Sequence, residues 1–272
     1  MGQGKLLEPT LRRKLIKFNM NKKINIVVYA LSLADHIKNY GVNRIESLKR
    51  IKTKHNIDIK IFIDQDQSLE HQQLFDSNVE FVDIRKNLTP DLRKLSHSDA
   101  VISDKRTIGY KGMCLFNFSE YINYLEGYDY AIRLDGDSII HSDLYLDDFI
   151  STGKVHGYVR DKLDGHKETQ ETLPGVIKKY IRENEIEILC DENDINMEHY
   201  YSNFGIIKLD FWKSDPVVKF MNFIKQEDGI CKYRWGDHVL QANILKMFCP
   251  PGSIVKFDFK YEHGSHEFKN FK

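Results

Sequence analysis

The sequence has no run approaching the ~20 apolar residues that a helix needs to cross a bilayer, so no transmembrane segment is expected. It has no hydrophobic leader core near Met1, and Leu6 stands where an N-myristoylation pattern wants Ser or Thr. The expectation is a cytoplasmic chain. An excess of one charge sign is also missing: Lys plus Arg and Asp plus Glu both total 40. That balance argues against an extended nucleic-acid footprint, and no nucleic-acid partner is expected. Cysteine is scarce, and Cys114, Cys190, Cys231 and Cys249 form no CxxC pair; they read as reduced, mostly buried thiols. There is no P-loop, no GxGxxG and no GxSxG. Without a P-loop, a metal bridged by acidic residues is the most evident way to hold a phosphate-bearing ligand.

What is present is an ordinary apolar fraction with plentiful aromatics in 272 residues, enough to bury a real core. Residues 1–21 are basic and read as a loosely held arm. Ile24 to Leu31 is nearly continuous in apolar, β-branched residues, the mark of a buried strand. Residues 40–54 repeat apolar side chains at helical spacing. Ile57 to Ile63 and Val79 to Ile84 read as further strands, and this alternation is the signature of a parallel α/β unit. Asp64 and Asp66 read as a surface loop, and 86–109 is polar. Tyr110 to Tyr124 is expected to be helical, Tyr128 to Leu134 a strand, and 142–150 a short turn or helix. Residues 161–198 are strongly charged, with helix around Val176–Arg182, and read as an insertion over one face of the sheet. Ser214 reads as the cap of a helix with Pro216 in its first turn. A second helix should span Asp237 to Phe248, broken by Cys249-Pro250-Pro251-Gly252, with a last strand from Ile254 to Tyr261. No repeat and no linker divides the chain.

The stretch Ile132-Arg133-Leu134-Asp135-Gly136-Asp137-Ser138-Ile139-Ile140 carries the strongest chemical pattern. An apolar strand ends abruptly in two carboxylates, and in open α/β sheets ligands bind at that end. Gly136 permits a tight turn. Hard cations such as Mg²⁺ or Mn²⁺ take one or two carboxylates together with phosphate oxygens. A solvated Asp-Gly turn has the same local pattern. Two other places could add to such a site. One is Tyr233-Arg234-Trp235-Gly236-Asp237-His238, where Asp237 also suits a helix start. The other is Glu262-His263, where an imidazole follows a strand. Tyr110, Lys111, Arg133 and Arg234 supply donors for phosphates.

These segments resemble the fungal α-1,2-mannosyltransferases of glycosyltransferase family 15. Tyr110-Lys111-Gly112-Met113-Cys114-Leu115-Phe116-Asn117 is similar to that family's Tyr-Arg-x-Met-Cys-Arg-Phe-Asn. Tyr128 to Asp137 falls where the family has Tyr-Asp-x-Tyr-Trp-Arg-Val-Glu-Pro-Asp. Tyr201-Ser202-Asn203-Phe204, Leu209 to Ser214, Tyr233 to Asp237 and Tyr261-Glu262-His263 follow in the family's order, from residue 110 to 263. Two departures stand out. The family's Glu-Pro-Asp is Asp135-Gly136-Asp137 here. Its Glu after Ser-Asn-Phe, a proposed nucleophile or catalytic carboxylate, is Gly205. The membrane anchor of the fungal enzymes is also missing from this sequence.

The resemblance implies an α/β fold: one GT-A-like domain over 22–272, with a mixed, mostly parallel central sheet flanked by helices. It implies transfer of mannose from GDP-mannose, with retention, to a glycan or glycoprotein acceptor, using Mn²⁺ or Mg²⁺. The implied metal ligands are Asp137 and His263, with Asp135 orienting metal or ribose. Tyr110, Lys111, Arg133 and Asn203 are expected on the donor side, and Asp237 and Arg234 at the reacting centre. Alternatives left open are another donor, of the UDP-glucose or UDP-galactose type, a metal-dependent nucleotidyltransferase or phosphohydrolase, and a non-catalytic carbohydrate-binding relative.

Overall fold

The structure, a computed structural model, describes residues 23–31, 34–63, 78–84 and 108–264. The basic arm at 1–21, the Asp64–Asp66 loop and most of the polar stretch at 86–109 lie outside these residues.

The strands in chain order are β1 (Asn25–Leu31), β2 (Ile51–Lys52), β3 (Asn56–Ile63), β4 (Val79–Asp83), β5 (Tyr130–Leu134), β6 (Ser138–Ile140) and β7 (Leu144–Tyr145). They continue with β8 (His156–Tyr158), β9 (Asp161–Leu163), β10 (Glu198–Tyr200), β11 (Phe204–Lys208), β12 (Ile254–Lys256) and β13 (Tyr261–His263). Seven of them form the main sheet in the order β12-β8-β11-β5-β1-β3-β4. The pairs β5–β1, β1–β3, β3–β4 and β12–β8 are parallel; β11 runs antiparallel to both β5 and β8. The sheet is therefore mixed and mostly parallel, as expected.

Strand alternation builds two cores, one on each face. Val27, Tyr29, Ala131 and Ile207 face the larger cluster, with Phe116, Trp212 and Val239 from the covering helices and Trp235 from a loop between two of them. Ile26, Val28, Ile132 and Ile206 face the other, with Phe149, Phe204 and Phe259. Every residue of β5 is buried, which is why its sequence reads as an unbroken apolar run apart from Arg133. The helix Asp215–Glu227 starts after Ser214 and buries Val217, Phe220, Met221 and Ile224, and the helix Asp237–Phe248 has the expected bounds. The charged stretch contributes the helix Lys167–Glu183, whose Leu173, Ile177, Tyr180 and Ile181 enter the larger core.

Some boundaries differ from the sequence reading. The first helix is Ala34–Leu48, and Ile51 belongs instead to β2, paired with β7. Tyr110 to Tyr124 is two elements, a helix Ile108–Phe118 and a 3₁₀ turn Glu120–Tyr124. The expected last strand is split. Its first part, β12, extends the main sheet beside β8, and the chain then crosses to β6, where β13 pairs antiparallel. Among the described residues no helix is long and apolar enough to cross a membrane.

Candidate active site at the end of β5

The main chain turns at Asp135-Gly136-Asp137 and returns as β6. Ser138 N–H donates to the Asp135 carbonyl at 3.0 Å, and Asp135 N–H donates to the Asn203 carbonyl at 3.0 Å. Arg44, 1% exposed, reaches from the first helix and donates to the Leu134 carbonyl at 2.7 Å and the Asp135 carbonyl at 3.3 Å. Burial lowers its pKa to about 10, against the pull of Asp135 and Asp137, so it stays cationic at neutral pH under the two carboxylates.

The pairing of β13 with β6 sets His263 opposite Ser138. His263 Nδ1 lies 3.2 Å from Asp137 Oδ1 and 3.1 Å from Ser138 Oγ, with the Tyr201 ring edge-on at 5.9 Å between centroids. Burial would lower the imidazole's pKa, but Asp137 and Asp135 outweigh it and the net direction is up. Asp137 and His263, distant in sequence, thus meet as a carboxylate–imidazole pair. Among the described residues no group of three or more His, Cys, Asp or Glu is arranged to hold a metal. A pair of this kind fits a hard cation that takes its other ligands from water and phosphate oxygens.

Arg133 lies on the other side of Asp135. Its Nε donates to Asp135 Oδ1 at 2.9 Å, and its Nη1 donates to Asp237 Oδ2 and, at 3.3 Å, to Ser202 Oγ. Ser202 Oγ in turn donates to Asp237 Oδ2 at 3.3 Å. Asp237, in the first turn of its helix, lies 3.7 Å (Oδ1) from His238 Nδ1, and His238 Nε2 lies 3.5 Å from Asp164 Oδ2. Asp164 Oδ1 is 3.9 Å from Arg234 Nη1, and Arg234 Nη2 donates to Tyr110 Oη at 3.2 Å. The charges alternate in sign from Asp135 to Arg234. Such a buried chain persists only because each charge has an opposite neighbour to offset its desolvation. Burial would lower the His238 pKa, yet Asp164 and Asp237 raise it to about 9. Burial would raise Asp164, yet His238 and Arg234 bring it down to about 2. Asp237 is held well below the usual carboxylate range by Arg133 and His238 despite burial.

The loop carrying Arg234 is braced from the charged stretch. Arg234 adopts a left-handed backbone, φ 57°; Thr169 Oγ1 donates to its carbonyl at 3.2 Å, and Trp235 Nε1 donates to Thr172 Oγ1 at 2.8 Å. Gly229 is required beneath Trp235, because a Cβ there would lie 2.2 Å from the indole.

Of the residues singled out in the sequence, Asp135, Asp137, Arg133, Asp237 and His263 converge, and Arg234 and Tyr110 join through Asp164 and His238. Asn203 accepts from Tyr261 Oη at 2.8 Å, tying β13 to the end of β11. Lys111 is not brought to the group: it is 3% exposed and its ammonium donates to the Cys231 carbonyl. Asp210 lies in the short helix Leu209–Trp212, away from this group. Sequence reasoning missed Arg44 and Asp164. Ser202 and His238 each lay inside a quoted motif without a role of its own.

The sequence profile of the family described as Glycolipid 2-alpha-mannosyltransferase matches residues 12–267. The Candida albicans protein Glycolipid 2-alpha-mannosyltransferase 2 is 27% identical over 214 residues, covering 67% of this chain and 44% of that protein. This chain therefore spans less than half the length of that relative. The crystal structure of the mannosyltransferase Ktr4p from Saccharomyces cerevisiae superposes with a TM-score of 0.74 at 19% identity, covering 89% of this chain and 70% of that one. The Mn/GDP form of core-mannan synthase A from Aspergillus fumigatus gives 0.73 at 19% identity, covering 89% and 75%. The fold is thus the GT-A arrangement shared with these structures.

Proposed function

This chain belongs to the glycolipid 2-alpha-mannosyltransferase family, and on that premise we propose that it transfers mannose from GDP-mannose to a hydroxyl of a glycan acceptor, with a divalent cation. The observation that carries the proposal is the meeting of Asp137 and His263 beside the end of β5, where α/β sheets bind ligands. The Mn/GDP form of the Aspergillus relative supports the choice of nucleotide and metal. Asp137 and His263 are the residues that would hold the cation, which supplies charge neutralisation for the departing diphosphate.

Asp135 is turned to Arg133, so its role is to orient that guanidinium and the turn. Arg133 fixes Asp237, with Ser202 and His238, in one position and in the ionised state. On this reading Asp237 orients the acceptor hydroxyl or the transferring sugar, which is a matter of position more than of basicity. Arg234 and Tyr110 supply donors for the nucleotide side. Asn203 positions Asp135 through its carbonyl. Lys111 secures the short helix Gly229–Lys232 that precedes the Arg234 loop.

Glycine at 205 leaves no carboxylate next to Arg133 on β11, so a covalent glycosyl intermediate has no nucleophile there. A front-face displacement fits better. The acceptor oxygen bonds to the anomeric carbon as the carbon–phosphate oxygen bond breaks, and the acceptor proton passes to the leaving phosphate oxygen. The stereochemical outcome is retention.

The test is to incubate the full chain with GDP-mannose, Mn²⁺ and methyl α-mannoside. An α-linked dimannoside, lost on chelation, is expected. Release of free mannose alone would indicate a hydrolase, and transfer only from UDP-sugars would replace the donor.

A further inference from the structure

Gly205 pairs directly with Arg133 across β5 and β11. A Cβ at Gly205 would meet nothing closer than 3.7 Å, the contact being His156 Cε1 on β8. The missing side chain leaves a gap in the sheet face between Arg133 and β8. A cavity of about 20 Å³ lies there, lined by Arg133, His156, Tyr200, Ser202, His238 and Gln241, among others. That is room for one water molecule.

His156 is the unusual member of this lining. It is 5% exposed, and among the described residues neither of its ring nitrogens has a hydrogen-bond partner. Its ring lies against Tyr158 and Tyr200, with centroids at 6.3 and 5.2 Å, so the aromatic neighbours supply packing but no hydrogen bond. A buried polar group left this way costs free energy, and native proteins normally satisfy it with protein or water.

We propose that the gap at Gly205 is a binding site for one neutral hydroxyl, a water molecule, hydrogen-bonded to a ring nitrogen of His156. Four considerations select water over other small species. The volume suits a single oxygen. The two cations in the lining are already committed, Arg133 to Asp135 and Asp237, and His238 to Asp237 and Asp164, so a carboxylate entering the gap would be a buried anion without a counter-charge. A neutral imidazole offers a donor on one nitrogen and an acceptor on the other, and water can serve at either. A metal cation is excluded because the lining holds no carboxylate and already contains the Arg133 guanidinium. The site stands on its own geometry and does not rest on the transferase reading.

The test is a high-resolution crystal structure of the full chain, with formate soaked into a second crystal. A single oxygen peak within about 3.2 Å of a His156 nitrogen, unchanged by formate, is expected. In Gly205→Ala, whose new methyl occupies the gap, that peak should vanish. In His156→Phe, which keeps a ring of similar shape without nitrogens, it should also vanish, with Tm unchanged or higher. No peak in the wild type, or formate density in the gap, would overturn the proposal. If His156→Phe does not fold, Gly205→Ala carries the same comparison.

Discussion

Arg133 and Asp237 form an ion pair in which neither side chain is more than 9% exposed. The pair joins the end of β5 to the first turn of the helix Asp237–Phe248, so the carboxylates of the Asp-Gly-Asp turn and the Arg-Trp-Gly-Asp loop belong to one electrostatic unit. Removing one member leaves the others buried without a full complement of charge.

Asp237→Asn is the direct probe of that unit. The neutral amide keeps the shape but leaves Arg133 and His238 short of a counter-charge. The expected result is loss of most transfer activity and a stability loss of about 3 kcal/mol, read from transfer rates and a denaturant melt. Full activity with unchanged stability would remove Asp237 from the reaction centre.

Stability should peak near neutral pH, for reasons that can be separated. His238, faced by Asp237, Asp164 and the ring of His199, titrates at about 9 when folded, against 6.5 as its ordinary value. Its contribution is complete below ~6.5 and is lost as pH rises through 9; the difference is worth ~3 kcal/mol. Burial holds His156 down at about 3, so the unfolded chain takes up a proton that the folded one refuses. Stability therefore falls as pH drops from ~6.5 toward 3. Denaturant melts across pH should show the alkaline limb flattened in His238→Gln and the acid limb made shallower in His156→Phe. An alkaline limb identical in His238→Gln would contradict the assignment.

Gly205→Glu should not raise the transfer rate. A Cβ fits at 205, but the gap beyond it takes only a water-sized group. A glutamate would crowd His156 and compete with Asp237 for Arg133. Initial rates for the variant and wild type decide this: a large gain would mean that a carboxylate nucleophile belongs at 205.

Much of this was legible in the sequence because it is local. β1 and β5 announce themselves by continuous apolar residues, and the helix Asp237–Phe248 by its break at Pro250-Pro251. The Asp-Gly-Asp turn is visible because apolar runs bracket it. Long-range partners were not legible. Nothing around Asp164 distinguishes it from the other acids of a charged stretch until β10 and the Arg234 loop close over it. Arg44 looks like any cation on a helix, yet it is buried under the turn. The crossing from β12 to β13 was hidden because Ile254 to Tyr261 alternates passably as one strand. That crossing brings His263 to Asp137. Lys111 shows the converse: it sits within a motif shared with the resembled family, but its ammonium serves a carbonyl in the packing.

The measurement that bears most directly on the metal–diphosphate site is calorimetric titration of GDP into the wild type with and without Mn²⁺, and into Asp137→Ala with Mn²⁺. The account predicts tight binding only for the wild type with Mn²⁺, with at least a tenfold loss in the folded variant, or about 1.4 kcal/mol. Unchanged Mn²⁺-dependent affinity in Asp137→Ala would contradict it.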